Sequence, residues 1–181
     1  MKQIIMMVAT AIFFTACSNE KKEKAESEKT DSQMTSSPAV TLPYTATFSS
    51  QFNDKVSDQD LLNVLNSYKH WESGDMAALS GVLADSITYL GWDGTKYSGP
   101  KAALLETWTK YRDSLSAVKI EIAAWTKSHS IDKQNDFIDV WYKETDTYKT
   151  GRIDSFNLMD ANGVTNGKIA WYSQYRQALK K

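Results

Sequence analysis

The chain has 181 residues, with 21 Lys and Arg against 22 Asp and Glu, for a formal net charge of −1. That balance lacks the basic stripe of a nucleic-acid binder, so no nucleic-acid partner is expected. A single cysteine excludes a disulfide-stapled scaffold. The domain must therefore hold itself together by core burial. Its 12% aromatic content, six tryptophans included, suggests a sizeable core or one with a lined hollow.

In chain order, Lys2 precedes an apolar run from Ile4 to Ala16. It is shorter than the ~20 residues a membrane-spanning helix needs and reads as a secretory signal. The stretch Phe14-Thr15-Ala16-Cys17 resembles the lipobox of bacterial lipoproteins. The resemblance implies lipidation of Cys17, which becomes the first residue of the mature chain. It also implies a membrane anchor in the bacterial cell envelope, at the outer membrane or cell surface rather than the inner membrane. Residues 17–43 alternate charge, then turn to Ser, Thr and Pro, with almost no large apolar side chain before Leu42. Such a stretch buries too little surface to order itself and reads as a tether. The expected organisation is a signal over 1–16, a tether over 17–43 and one folded domain over 44–181.

Within the domain, Tyr44, Ala46 and Phe48 alternate with threonines, as in a short strand or an extended arm. Ser57 and Asp60 form a looser version of a capping box. Leu61, Val64, Leu65, Tyr68 and Trp71 follow at helical spacing. Gly74 is the expected stop and Asp75 the cap of a second helix through Met76, Leu79, Val82 and Leu83, ending near Asp85. Ser86 to Trp92 reads as a strand, Asp93-Gly94 as a turn and Thr95 to Ser98 as its return. Pro100 opens a third helix carrying Leu104, Leu105, Trp108 and Tyr111. The period then changes to two at Val118, Ile120 and Ile122. Further strands are expected over Phe137–Tyr148, Arg152–Asp160 and Lys168–Arg176, with a polar loop holding Asn162-Gly163 and Asn166-Gly167 before the last.

Helices, a hairpin, a helix and four long antiparallel strands make an α+β domain. The order resembles the NTF2-like superfamily, which includes SnoaL-like proteins and ketosteroid isomerases. The carrying residues are Tyr68, Trp71, Gly74-Asp75, Leu83 to Thr88, Asp93 to Pro100 and Asn166 to Ile169. The resemblance covers about Val56 to Arg176. It implies a cone in which three N-terminal helices pack into a strongly curved, mainly antiparallel sheet. It further implies a pocket at the mouth of the cone and a homodimer through the outer sheet face.

Tyr68 lies on the apolar face of the first helix. It is either a core tyrosine with one hydrogen-bond partner or, by resemblance to ketosteroid isomerases, a donor to a substrate oxyanion. Asp154 shares a strand face with Phe156 and Leu158. A carboxylate there needs a partner or a proton: either Arg152 pairs with it, or it is a pocket acid. By the same resemblance it matches a second oxyanion donor, facing Tyr68 across the cone. The isomerase base would fall at about Gly91, where no acid stands; Asp93 or Asp139 are the substitutes on offer. Tyr89, Trp92, Trp108, Trp125 and Trp141 are the expected aromatic wall, with Phe156. Two distant histidines give no metal site. No phosphate loop and no Ser-His-Asp order is present, and no cofactor is expected.

These readings favour an envelope lipoprotein whose domain binds a small apolar ligand or a protein partner. The competing reading is an isomerase, dehydratase or cyclase using Tyr68 and Asp154. A third is an adaptor whose cone is filled by its own tryptophans.

Overall fold

In a computed structural model, which describes residues 43–177, helix α1 (Asp58–Ser73) opens where the sequence places it. Ser57 Oγ accepts from the Asp60 backbone N–H at 3.0 Å and donates to Asp60 Oδ2 at 2.8 Å. Gly74 ends the helix at φ 77°, a left-handed conformation that favours glycine. Asp75 caps α2 (Met76–Val82) by accepting from the Ala78 N–H. The apolar run, Cys17 and nearly all of the tether lie outside the described residues. Among the described residues no helix is long and apolar enough to cross a membrane.

The strands form one sheet of seven. A short β1 (Phe52–Asn53) sits at one edge. The others are β2 (Leu83–Leu90), β3 (Lys96–Pro100), β4 (Leu115–Ser130), β5 (Asn135–Tyr148), β6 (Ile153–Thr165) and β7 (Lys168–Gln177). Their order is β1-β4-β5-β6-β7-β2-β3, and every neighbouring pair is antiparallel except β2 with β7. Helix α3 (Lys101–Asp113) follows β3, with Pro100 as its N-cap rather than its first helical residue. Register shifts interrupt the long ladders at Leu115/Ala117, Ile122/Ala124 and Gly163/Val164. Such bulges bend a strand and raise its twist, and the curved sheet closes around the helices as an α+β cone.

Three boundaries differ from expectation. The helix after Asp75 stops at Val82, because Leu83 already pairs with Ile169 of β7. Tyr44 to Phe48 forms no strand, the first strand being Phe52–Asn53. Of the two readings the arm is the one met, with Phe48 packed edge-on against Phe137, centroids 6.1 Å apart. Strand β6 runs through Asn162-Gly163 to Thr165. A Cβ at Gly163 would meet Trp171 Cβ at 3.2 Å, a tight contact that glycine avoids. The actual hairpin turn is Asn166-Gly167, both at positive φ.

The core lies between α1 and the inner sheet face. Val64, Ile87, Ile138 and Val140 are fully enclosed there. Burial of each such side chain stabilises by about 1.5–3 kcal/mol. Arg112 of α3 donates from Nε to Trp71 O and from Nη2 to Glu72 O, both at 3.0 Å. It thereby ties α3 to the carboxyl end of α1, where a cation is favoured.

Candidate functional site in the cone

The cone is hollow. A cavity of about 520 Å³ opens between the helices and the inner face of the sheet. Its aromatic wall comes from α3, β2 and β7: Trp108 meets Tyr89 edge-on at 5.7 Å, and Tyr89 stacks on Tyr172 at 5.5 Å. Trp92 and Phe156 also line it, and Arg176 lies over both rings at 4.3 and 3.8 Å. The tryptophans do not fill the cavity.

Two polar groups interrupt this apolar lining. The first is built around Asp160 on β6, with no exposed surface. Its Oδ2 accepts from the hydroxyls of Tyr68 and Tyr172, each at 2.9 Å, while Oδ1 has no donor. Gln174 Nε2 donates to Tyr172 at 2.9 Å and to Tyr142 at 3.1 Å. Asn162 Nδ2 donates to Ile138 O at 3.0 Å and more loosely to Tyr68 at 3.4 Å. Burial pushes the Asp160 carboxyl up to about 7, and the surrounding hydroxyls and the Gln174 amide restrain the rise. Burial first, then the Asp160 charge, pushes the Tyr68 and Tyr172 hydroxyls well above their ordinary range. The tyrosines therefore stay protonated. When Asp160 is neutral, a hydroxyl released from Oδ2 can turn towards an oxygen in the cavity.

The second group is on β5. Glu144 and Asp146 follow Tyr142 on the inner face and are 7% and 1% exposed. Trp71 Nε1 donates to Glu144 Oε1 at 3.1 Å, and the Tyr111 hydroxyl to Asp146 Oδ2 at 2.7 Å. Among the described residues Asp146 Oδ1 has no donor apart from the Glu144 carboxyl when that keeps its proton. Burial, then the Asp146 charge, lifts Glu144 to about 8.

Of the residues proposed from sequence, Tyr68, Tyr89, Trp92, Trp108, Asp154 and Phe156 line the cavity. Tyr68 and Asp154 are not brought together. Asp154 pairs with Arg152 at 3.1 Å. Asp160, the carboxylate that meets Tyr68, is six residues further along β6, roughly 20 Å of strand. Asp139 and Trp141 belong to other parts of the sheet than the cavity wall. Asp139 pairs across with Thr126, whose hydroxyl lies 3.4 Å from Oδ2. Trp141 is 38% exposed and stands in register with Met159 and Tyr175 on the outer face. Trp125 also lies outside the cavity lining. At Gly91 a Cβ would meet the Tyr89 hydroxyl and Asp93 Oδ1, both at 2.8 Å, so a side chain there would displace these side-chain ends. Asp93 lines the cavity, with Oδ1 accepting from the Thr95 N–H.

Asp160, Glu144 and Asp146 were missed from sequence. The usable signal was the alternation itself. Asp160 continues the Asp154-Phe156-Leu158 face, and Glu144 and Asp146 continue the Ile138-Val140-Tyr142 face.

No protein-family model matches the chain, and no curated protein does. Its structure is similar to that of an NTF2-like protein of unknown function from Exiguobacterium: 15% identity, 65% of this chain, 99% of that one, TM-score 0.55. The fold is NTF2-like. An epoxide hydrolase of the LEH-like kind from Mycobacterium tuberculosis shares this NTF2-like arrangement at 10% identity, over 67% of this chain and 84% of that one, TM-score 0.57. So does a putative NTF2-like dehydratase from Streptomyces avermitilis, at 13% identity over 67% and 96%, TM-score 0.57. NTF2-like neighbours thus include proteins named as enzymes and proteins without assigned activity. At these identities the likeness speaks for the fold alone, and function rests on the cavity.

Proposed function

We propose that this NTF2-like domain binds a small molecule with a largely apolar, ring-sized body inside the cone, on a lipoprotein anchored through Cys17 in the bacterial cell envelope. The observation that carries the proposal is the open cavity of about 520 Å³, lined by Tyr89, Trp108, Tyr172 and Phe156. Its volume falls within the ~300–1,000 Å³ of small-molecule pockets, and its few convergent polar groups suit orientation of a ligand. The Tyr68–Asp160–Tyr172 cluster supplies hydroxyls for one ligand oxygen. The lipobox-like Phe14 to Cys17 supports the anchor, and the row Trp141, Met159 and Tyr175 on the outer sheet face supports a homodimer.

A second reading has its own observation. A buried carboxyl titrating near 7 beside two tyrosine hydroxyls is suited to proton transfer. The same cavity could then serve an enzyme of isomerase, dehydratase or cyclase type, with Asp160 rather than Asp154 as the acid next to Tyr68.

Calorimetric titration of the protein with 1-naphthalenemethanol, a neutral aromatic probe, tests the binding reading. Saturable one-to-one binding is expected. Thr107→Trp, on the exposed side of α3 but lining the cavity, should block it, whereas Trp141→Ala on the outer face should not. Binding that ignores Thr107→Trp, or no binding at all, refutes a ligand in the cone.

A further inference from the structure

We propose that the ligand is an organic cation, whose protonated amine is seated by Glu144, Asp146 and Asp154 at the end of the cone away from Asp160. This deepens the binding function just proposed and rests on it.

Register brings these three carboxylates together. Asp146 of β5 stands directly opposite Asp154 of β6, and Glu144 is opposite Phe156, one step along the same inner face. Directly opposed residues in an antiparallel pair have Cβ atoms about 5 Å apart, and like charges placed so repel. Sequence distance hides the cluster, since only strand pairing makes it. All three residues line the cavity.

The cluster is short of positive charge. Arg152 is the one cation that meets it among the described residues, and its Nη2 is already on Asp154 at 3.1 Å, with its guanidinium 3.9 Å from the Tyr148 ring. Neither Glu144 nor Asp146 has a basic partner among the described ion pairs. Asp146, 1% exposed, lines the cavity, and among the described residues its Oδ1 has no donor apart from the Glu144 carboxyl, which lies within hydrogen-bonding reach of Asp146 while it keeps its proton. A buried acceptor without a partner is costly, and a donor from a ligand removes the cost. The raised Glu144 points the same way. Burial, then the Asp146 charge, holds it near 8. An ammonium beside both acids lets Glu144 ionise.

The aromatic surroundings suit a cation equally. Trp71 and Tyr111, which donate to the two acids, stack with planes 4° apart and centroids at 6.2 Å. Tyr148 meets Tyr111 edge-on at 6.4 Å. Ring faces attract ammonium and guanidinium groups within about 6 Å. The cavity already holds one guanidinium in this way, Arg176 on Trp92 and Phe156, and at its rim Arg152 lies on Tyr148. A bare metal ion fits less well: among the described residues no three His, Cys, Asp or Glu side chains converge tightly enough to hold one. Carboxylates flanked by ring faces match an organic ammonium, its apolar body lying towards Trp108 and Tyr172.

The test compares three probes of one shape by calorimetric titration of the full chain at pH 7: 1-naphthylmethylamine, 1-naphthalenemethanol and 1-naphthoate. The amine should bind at least about tenfold more tightly than the alcohol, and the carboxylate more weakly than either. Asp146→Asn and Glu144→Gln should each shrink the ratio of amine to alcohol affinity severalfold. Arg152→Gln, at the exposed rim, should tighten the amine severalfold by freeing Asp154, with the alcohol unchanged. A merely structural arginine would not produce that split, and the variant decides the matter if Asp146→Asn does not fold. Equal binding of amine and alcohol overturns the cation site and leaves the binding function standing. So does an undiminished preference in a folded Asp146→Asn, or an amine weakened by Arg152→Gln. Failure of all three probes to bind overturns both.

Discussion

Replacing Asp160 with Asn tests the polar floor of the cone. The side chain is wholly buried, with two tyrosine hydroxyls on Oδ2 and no donor on Oδ1. Burial carries its carboxyl from an ordinary 3.8 to about 7. Between those values the native protein keeps a proton that the unfolded chain has released. The native state binds more protons there, so stability declines as pH climbs from about 4 to about 7, and levels off above. A span of about three pH units, at about 1.4 kcal/mol each, gives a cost on the order of 4 kcal/mol at pH 8. Asn has the shape of the neutral acid and no charge to acquire. At pH 5, Asp160→Asn should therefore match the wild type to within about 1 kcal/mol. At pH 8 it should be the more stable protein by about 4 kcal/mol. Urea unfolding of both proteins at the two pH values gives the comparison directly. Glu144, lifted to about 8, leaves a further decline in the Asn variant that extends to pH 8, and Glu144→Gln in the same background should remove it. A variant less stable than the wild type at pH 8 would refute the reasoning, because Asp160 would then be a carboxylate that the tyrosines hold as an anion.

Arg112→Met removes two charge-assisted hydrogen bonds to the last carbonyls of α1 and should cost about 2 kcal/mol in urea unfolding. A loss below about 0.5 kcal/mol would mean that water replaces the guanidinium without penalty. Cys17→Ala should release the protein from the membrane fraction or leave it as an unprocessed precursor, since stable anchoring takes more than one acyl chain. Unchanged fractionation and unchanged size on a gel would exclude a lipid on Cys17.

What the sequence determined by itself is what short-range chemistry decides. The limits of α1 were legible because Ser57, Asp60 and Gly74 act within a turn of themselves. The inner face of β6 was legible from Asp154, Phe156 and Leu158 because alternation is a property of a single strand; that of β5 was misassigned, since Asp139 and Trp141 were expected in the cavity wall and Ile138, Val140 and Tyr142 take the inner face. The order of elements was enough for the NTF2-like cone, since each connection is short. Even the Arg152–Asp154 pair was visible, two residues apart on one face. What joins across the cone was not. Asn162-Gly163 reads as a turn locally, yet the strand continues because the Asn162 amide finds Ile138 O and the bare Gly163 admits Trp171. Asp160 looked like a strand end until Tyr68, 92 residues earlier in the chain, was placed on its Oδ2. Glu144 and Asp146 were acids on an apolar face, with neither Trp71 nor Tyr111 named as a partner. Periodicity tells which way a side chain points; what it meets there depends on strand register and on the closure of the sheet. Those were set by bulges and packing between segments far apart in sequence, so only the tertiary structure decided which acid sits beside which tyrosine.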